Sequence, residues 1–393
     1  MIDLNQYKEE AVLIRRYLHE YPELSHQEFE TSEYLKDYIS QFGLAIEEVG
    51  QTSFIAVLDT GRSGKTLGLR TDIDGLPISE NPRNISSQRV AVSKNEGIMH
   101  ACGHDMHMAV LLTSMRYLVD QQDKIDGKIV FIFEEAEEIA GGIDMMVDYL
   151  TKFDFDAIYG NHAYSALESG KIIVNDGPTM SGVTFVDLIV HGKSGHGSRP
   201  DLAISPIYAA SQILNAWAAA WVNQINMQQI MTLGIGEFHS GTAANIIPST
   251  AHITGTVRFL DSEAAAKAID ILKEVANYTA LASQCRVTFH ESMGDLYNGP
   301  VVNDEELAHK VQDVVRRLFS EESLVADQTW FASETFTHYQ KLCPTIFTLV
   351  GIKNEEVGSG AEHHNELFDV DEEALPYAYG TMTQFALEFL SEA

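Results

Sequence analysis

Basic residues are scarce in this chain. Its 26 lysines and arginines are outnumbered by 57 aspartates and glutamates, which gives a formal net charge of −31. Nucleic acids and anionic membranes would be repelled by such a charge, so both are excluded as expected partners. The acidic residues are spread along the chain, and we therefore expect neither an acidic tail nor a disordered segment.

Cysteine and long apolar runs are also scarce. The three cysteines, Cys102, Cys285 and Cys343, are too few and too scattered for a disulfide framework. No apolar run is long enough to cross a bilayer, and the first residues lack the basic and apolar regions of a signal peptide. These absences predict a cytoplasmic protein in which Cys102 is available to bind a metal.

The length of 393 residues predicts two domains rather than one. Apolar runs separated by helical patterns predict strands at 53–58, 66–70, 128–133 and 157–160, the first two as neighbours. Their nearly continuous apolar character is typical of a mostly parallel sheet covered on both faces, so we expect an α/β fold.

The pattern changes after residue 182. A strand, a helix opened by Ser205 and Pro206, two strands, a helix and a strand follow in the order of a ferredoxin-like α+β domain. Helical and strand patterns of the first kind then resume. We therefore predict a first domain of residues 1–182 and 299–393, with residues 183–298 inserted as the second.

Potential metal ligands are densest at residues 100–107. This stretch, at the start of a predicted helix, contains the thiol of Cys102, a carboxylate and the imidazoles of His100, His104 and His107. Such ligands suit Zn²⁺ or Mn²⁺ better than a hydrophobic core. Acidic or histidine residues also follow three predicted strands, and α/β sheets bind ligands beyond the carboxyl ends of their strands. The sequence thus predicts a metal site at this edge.

Seven short motifs, in order along nearly the whole chain, carry a family resemblance. They are RTDIDGLP (70–77), MHACGHDMH (99–107), AEE (136–138), GKSGH (192–196), NIIP (245–248), SETF (333–336) and HN before FD (364–369). Together they resemble the dinuclear-metal amidohydrolases and peptidases of the aminoacylase, hippurate hydrolase, N-acetyldiaminopimelate deacetylase and auxin-conjugate hydrolase type.

The resemblance implies a catalytic domain that binds two divalent ions, of which Mn²⁺ and Zn²⁺ fit best and Co²⁺ and Ni²⁺ are alternatives. The implied ligands are Cys102, His104, Glu138, His162 and His364. Two neighbours compete for these roles: His107 lies on the same helical face as His104, and His363 precedes His364.

Paired glutamates at a strand end beside metals would repel each other unless one is a ligand and the other handles protons. By resemblance Glu138 is the ligand and Glu137 the general base, which takes a proton from metal-bound water and passes it to the leaving amine. Glu134 and Glu135 stand where the family commonly has Gln-Pro, and we expect them to lie on a solvent-exposed turn.

Further roles also follow from the resemblance. Asp72 would contact a metal ligand without binding the metal itself, and Asp74, which is next to Gly75, would cap the adjacent turn. In the inserted domain, which would be a lid and dimerisation domain, His196 would reach a partner subunit's site and stabilise the oxyanion. Asn245 and Arg258 would bind a substrate carboxylate, although Arg258 could instead pair with Asp261.

The expected function is hydrolysis of the amide bond of N-acyl amino acids or similar small conjugates. A di- or aminopeptidase is the alternative, because a peptide bond needs the same metals and base; a non-catalytic binding protein would not need Glu137 and the full ligand set. A homodimer is expected, since the apolar helix from Ile207 to Trp221, with Trp217, has more hydrophobic surface than one small sheet covers. Departures from relatives at 161–164 and 199–201 leave the acyl group open.

Overall fold

Helices and strands are interspersed along the chain in this computed structural model, which describes residues 2–391. The α-helices are α1 (Lys8–Glu20), α2 (Phe29–Ser40), α3 (His104–Asp120), α4 (Ile143–Leu150), α5 (Pro206–Gln224), α6 (Ser262–Ala282), α7 (Glu305–Leu318) and α8 (Leu375–Ser391). Short 3₁₀ helices lie at Gln122–Lys124, Glu137–Ile139, Pro200–Leu202, Glu321–Ser323, Thr335–Lys341 and Glu372–Ala374. None of the described helices combines the length and the apolar character that a membrane span requires.

The strands are short except at the centre of each sheet. They are β1 (Ala45–Glu48), β2 (Phe54–Asp59), β3 (Thr66–Asp72), β4 (Lys128–Glu134), β5 (Ala157–Glu168), β6 (Ile172–Ile173), β7 (Pro178–Met180), β8 (Gly182–His191), β9 (Gly195–His196), β10 (Met231–Ser240), β11 (Ile246–Ile247), β12 (Thr250–Phe259), β13 (Arg286–Phe289), β14 (Leu296–Asn298), β15 (Val301–Val302), β16 (Leu324–Val325) and β17 (Thr345–Lys353).

The described chain divides into two compact units. The second unit comprises Met180–Val301 and Thr329–Glu334, and the first comprises the residues up to Thr179, Val302–Gln328 and those from Thr335 onward. Residues 329–334, which we predicted to belong to the first domain, thus cluster with the second unit.

The first unit has a mixed α/β fold built on one large sheet. Its strand order is β1-β2-β4-β3-β5-β17-β6-β16. The central strands β4, β3, β5 and β17 are parallel, whereas β1, β2 and β6 run antiparallel to a neighbour. The expectation that β2 and β3 are neighbours is wrong, because β4 lies between them.

Burial explains why the central strands are so apolar. Strands β3, β4 and β17 are buried along almost their entire length, because helices cover the sheet. Helix α3 is itself buried on nearly all sides and packs against α1, α8 and β3. A helix buried all round is hydrophobic all round, apart from the polar residues at its N-terminus.

Two central strands end where the sequence predicts. β3 ends at Asp72 and β4 at Glu134, in direct register with each other. The third does not: β5 continues to Glu168, so His162 lies within the strand, opposite Leu349 of β17. The strand continues past Gly160 because β17 pairs with β5 along this stretch as well.

The second unit contains the elements β8, α5, β10, β12, α6 and β13 in that order, with the strands arranged β10-β12-β8-β13. All these pairings are antiparallel, and β14 also pairs with β8. Buried and exposed residues alternate along β8, as expected when one face of a sheet is covered by helices and the other is open. Trp217 of α5 is 1% exposed and donates its indole N–H to the Leu272 carbonyl of α6, 2.8 Å away.

Trp217→Phe should lower the free energy of unfolding of this unit by about 1–3 kcal/mol, because it leaves a cavity and removes the hydrogen bond to Leu272. Trp221→Phe, at a half-buried position of the same helix, is the matched control and should cost less than about 1 kcal/mol. Urea unfolding followed by circular dichroism measures both. Equal losses would contradict the assignment of Trp217 to the core.

Candidate metal centre

Side chains from β3, the α3 N-terminus, β5 and two loops converge in the first unit. Four overlapping groups have ligand atoms within 4.8 Å of one another: Cys102 with His104 and His162, Cys102 with Glu138 and His364, His104 with Glu137 and Glu138, and Asp72 with His104 and His107. The structure therefore brings together all five side chains expected as ligands, the expected base, and Asp72.

His104 is the first residue of α3, and its ring is held by Asp74. Nδ1 donates to the backbone carbonyl of Asp74 at 2.9 Å and lies 3.2 Å from its carboxylate. Nε2 is thereby directed toward Glu138, with 3.7 Å between Nε2 and Oε1. Although burial opposes it, the charge of Asp72 and the bond to Asp74 raise the pKa of His104 well above its usual value.

His107 lies one turn later in α3 and has a different environment. Its Nδ1 donates to Asp72 at 2.8 Å, and its Nε2 accepts the backbone N–H of Ala163 at 2.8 Å. Both ring nitrogens are thus engaged within the protein. Burial alone would raise the pKa of Asp72, but the charges of His104 and Arg70 and the hydrogen bond from His107 hold it well below its usual range.

Cys102 and His162 face each other across the site. His162 Nδ1 donates to the Ala163 carbonyl at 2.7 Å, which leaves Nε2 as the unprotonated nitrogen, 3.5 Å from the Cys102 sulfur. Burial lowers the pKa of His162 well below its usual value. Burial raises the pKa of the Cys102 thiol well above its usual value, and Glu138 raises it further. Without a bound cation Cys102 would therefore remain a neutral thiol, although it lies just before the N-terminus of α3.

The two adjacent histidines near the C-terminus point differently. His363 accepts the backbone N–H of Ser165 through Nε2, at 3.2 Å. His364 has a left-handed backbone, with φ of 58°, which directs its ring to Glu138, with 3.3 Å between Nε2 and Oε2.

Glu137 and Glu138 lie in a tight turn after β4. Ala136 and Ala140, which flank the short 3₁₀ helix, have positive φ values of 55° and 48°. The Ala136 N–H donates to Glu28 and the Glu138 N–H to Asp74, so buried carboxylates hold this turn in place. Glu137 Oε1 accepts the backbone N–H of Thr335 at 3.1 Å.

The expectation that Glu134 and Glu135 are solvent-exposed is wrong, since both are buried. Glu134 accepts hydrogen bonds from Arg70, Thr335 and Tyr339, and Glu135 accepts the backbone N–H groups of Thr52 and Ser53. The sequence signal for the first was Arg70 itself: an arginine in a buried apolar strand requires a carboxylate partner.

Asp74 also departs from its expected role. It does not cap the following turn, because the Gly75 N–H donates to the Glu23 carbonyl. Its carboxylate instead accepts from Ser25 and from the Glu138 N–H, and it faces His104. The alternation along an extended chain, which places Asp72 and Asp74 on one side, was the available signal.

The remaining expected site residues lie in the second unit. His196 is exposed in β9, and the backbone N–H and hydroxyl of Ser198 are directed at its Nδ1, at 3.1 and 2.8 Å. Asn245 is beside it, because its carbonyl accepts the Gly197 N–H and β11 pairs with β9. Arg258 lies in β12. Its proposed partner Asp261 instead caps α6 by accepting the Ala264 N–H.

The side chains of the first unit fit a metal ion. Among residues 2–391, the buried atoms His104 Nε2 and Glu138 Oε1 have no hydrogen-bond partner. A buried polar atom left without a partner costs free energy, and a divalent cation between the two atoms, in place of the His104 proton, would satisfy both. Sulfur, imidazole and carboxylate donors suit Mn²⁺, Zn²⁺, Co²⁺ or Ni²⁺.

Comparison with known proteins agrees with this chemistry. Thermostable carboxypeptidase 1 of Saccharolobus solfataricus is 35% identical over 95% of this chain and 93% of its own. Hippurate hydrolase of Campylobacter jejuni is 30% identical over 96% of each chain. The crystal structure of the Bacillus subtilis YXEP protein, a dinuclear metal binding peptidase from the M20 family, superposes with a TM-score of 0.84 at 29% identity, covering 98% of this chain and 99% of that one.

The family assignment rests on a match that covers most of the chain. Residues 68–388 match the description of peptidase family M20/M25/M40. This range includes every side chain of the cluster described above, and the protein belongs to peptidase family M20/M25/M40.

Proposed function

We propose that this protein is a metal-dependent hydrolase that cleaves the amide bond of N-acyl amino acids or similar small conjugates. The observation that carries the proposal is the convergence of five ligand-type side chains in the first unit with Glu137 beside them. Relatives with hydrolase and peptidase names support the same reaction class.

The proposed ligands of two divalent ions are Cys102, His104, Glu138, His162 and His364. When bound, such ions supply Lewis acidity to the amide carbonyl and lower the pKa of a water molecule. The contacts favour His104 over His107, because both nitrogens of His107 are engaged by Asp72 and Ala163. They favour His364, which lies in one ligand group with Cys102 and Glu138, over His363, whose Nε2 accepts the Ser165 N–H. Mn²⁺ and Zn²⁺ are the ions we propose first.

Glu137 is the proposed general base. Its carboxylate would take a proton from the attacking water and deliver it to the nitrogen of the leaving amino acid. Asp72 and Asp74 would act from behind the ligands: Asp74 orients His104, and Asp72 holds His107. The Thr335 N–H would keep the Glu137 carboxylate in place.

We also propose that the second unit is a ferredoxin-like lid and dimerisation domain, and that His196 acts in the partner's site. With Nδ1 accepting from Ser198, the Nε2–H of His196 is a donor suited to a developing oxyanion. Trp217 is buried in the core and does not contribute to a dimer surface. Support comes instead from exposed Tyr208 and Val222 of α5, and from β10, an edge strand with exposed Phe238.

The substrate is proposed to carry a free carboxylate on the leaving amino acid, bound by Asn245 and Arg258. The buried Arg258 Nη1 has no hydrogen-bond partner in the described part of the chain, which leaves it able to pair with an anion. An aminopeptidase would instead bind the free amine of its substrate. A carboxypeptidase, which is what the Saccharolobus relative is by its name, would also bind a substrate with a free carboxylate. Acyl amino acids, N-blocked dipeptides and free dipeptides, assayed together, separate these alternatives. We place the enzyme in the cytoplasm, where a cysteine ligand stays reduced.

Glu137→Gln should abolish turnover, by roughly 10²–10⁴-fold, with its metal content unchanged, because it removes the base but no ligand. Glu138→Gln, the matched control one residue away, should lose metal together with activity. Hydrolysis rates and elemental analysis of both purified variants test the division of roles. Comparable metal loss in the two variants would contradict it.

A mixture of His196→Ala and Glu137→Gln subunits should regain activity if His196 acts across the dimer. Heterodimers would form about half of a random mixture, each with one intact site, so roughly a quarter of wild-type activity should return. Unmixed variants give the baseline, and differently tagged subunits prove that exchange occurred. Purified heterodimers without activity would refute the shared site.

A further inference from the structure

A buried polar cluster of Arg70, Glu134, Tyr339 and the Thr335 hydroxyl lies in the first unit behind Glu137, and the proposed reaction gives these four groups no role. At its centre is Arg70 of β3, which is 2% exposed. Its Nη1 donates to Asp72 at 2.9 Å, its Nε to Glu134 at 2.8 Å, and its Nη2 to the Thr335 hydroxyl at 3.0 Å. One guanidinium thus connects Asp72, beside His104, with the turn that bears the proposed base.

Three donors converge on the Glu134 carboxylate. Oε1 accepts the Thr335 hydroxyl at 2.6 Å, while Oε2 accepts both the Tyr339 hydroxyl and Arg70 Nε at 2.8 Å. Only a group that accepts at both oxygens satisfies three donors, and an ionised carboxylate does so. An amide in its place would turn a donor toward at least one of them.

Thr335 is therefore fixed through its side chain. Its hydroxyl has a single proton, which it donates to Glu134, and its oxygen accepts from Arg70. This arrangement determines where the backbone of Thr335 lies. The same residue donates its N–H to Glu137 Oε1 at 3.1 Å.

We propose that Thr335 is a positioning residue for the general base: Glu134 and Arg70 clamp its hydroxyl, and its backbone N–H thereby holds the Glu137 carboxylate in the orientation that accepts a proton from water. This inference rests on the proposed function, because it assumes that Glu137 is the base. In this proposal Thr335 contacts neither the substrate nor a metal, and its effect on the reaction passes through Glu137.

Thr335→Val tests the clamp, because valine keeps the shape and removes the hydroxyl. We expect kcat to fall about 10- to 100-fold, as for a misplaced catalytic group, with KM and metal content unchanged. Thr335→Ser retains the hydroxyl and should restore kcat to within about threefold of wild type. Tyr339→Phe is the matched control: it removes a donor from the same Glu134 carboxylate without touching Thr335, and it should retain most of kcat.

A second background separates positioning from general damage. Thr335→Val combined with Glu137→Gln should be no slower than Glu137→Gln alone, because the proposed effect passes through that carboxylate. Glu134→Gln provides the same comparison if Thr335→Val does not fold. Equal losses in both backgrounds, or a Thr335→Val enzyme as active as Thr335→Ser, would overturn the inference. Full activity of Glu137→Gln would instead overturn the proposed function.

Discussion

The proposed metal centre depends on how two histidines of one helix are oriented: one ring is hydrogen-bonded at both nitrogens, and the other has one nitrogen directed at Glu138. His104 and His107 lie one turn apart at the start of α3. Nδ1 of His107 faces Asp72, the last residue of β3, and Nδ1 of His104 faces Asp74, two residues later. The second nitrogen of His107 accepts the Ala163 N–H of the neighbouring strand, whereas that of His104 faces Glu138. Because Asp72 and Asp74 are buried, removing either histidine leaves a buried carboxylate without that hydrogen-bond partner.

The start of α3 also depends on Gly103. Gly103, immediately before the helix, has φ of 94°, and a side chain there would meet Ala163 at 2.9 Å. The backbone can therefore approach β5 closely enough for Cys102 and His162 to face each other. The proposed metal site thus depends on a close helix–strand contact at Gly103 as well as on its ligand-type side chains.

Local patterns predicted much of this arrangement. The apolar spacing after residue 107 gave the helix, and the polar residues after apolar runs gave the ends of β3 and β4, because both patterns reflect burial of neighbouring residues. The proposed preferences for His104 over His107 and for His364 over His363 had no local signal, because they rest on hydrogen bonds from Ala163 and Ser165 of β5. The position of β4 between β2 and β3 is likewise set by pairing between strands that are distant in the sequence, and no short stretch of the sequence predicts it.

The central claim is that this cluster binds two divalent ions, and anomalous scattering from crystals grown with Mn²⁺ tests it most directly. The account predicts two anomalous peaks, roughly 3.5–4 Å apart, within bonding distance of Cys102, His104, Glu138, His162 and His364. A single peak, or peaks coordinated by His107 or His363 in place of their neighbours, would contradict it.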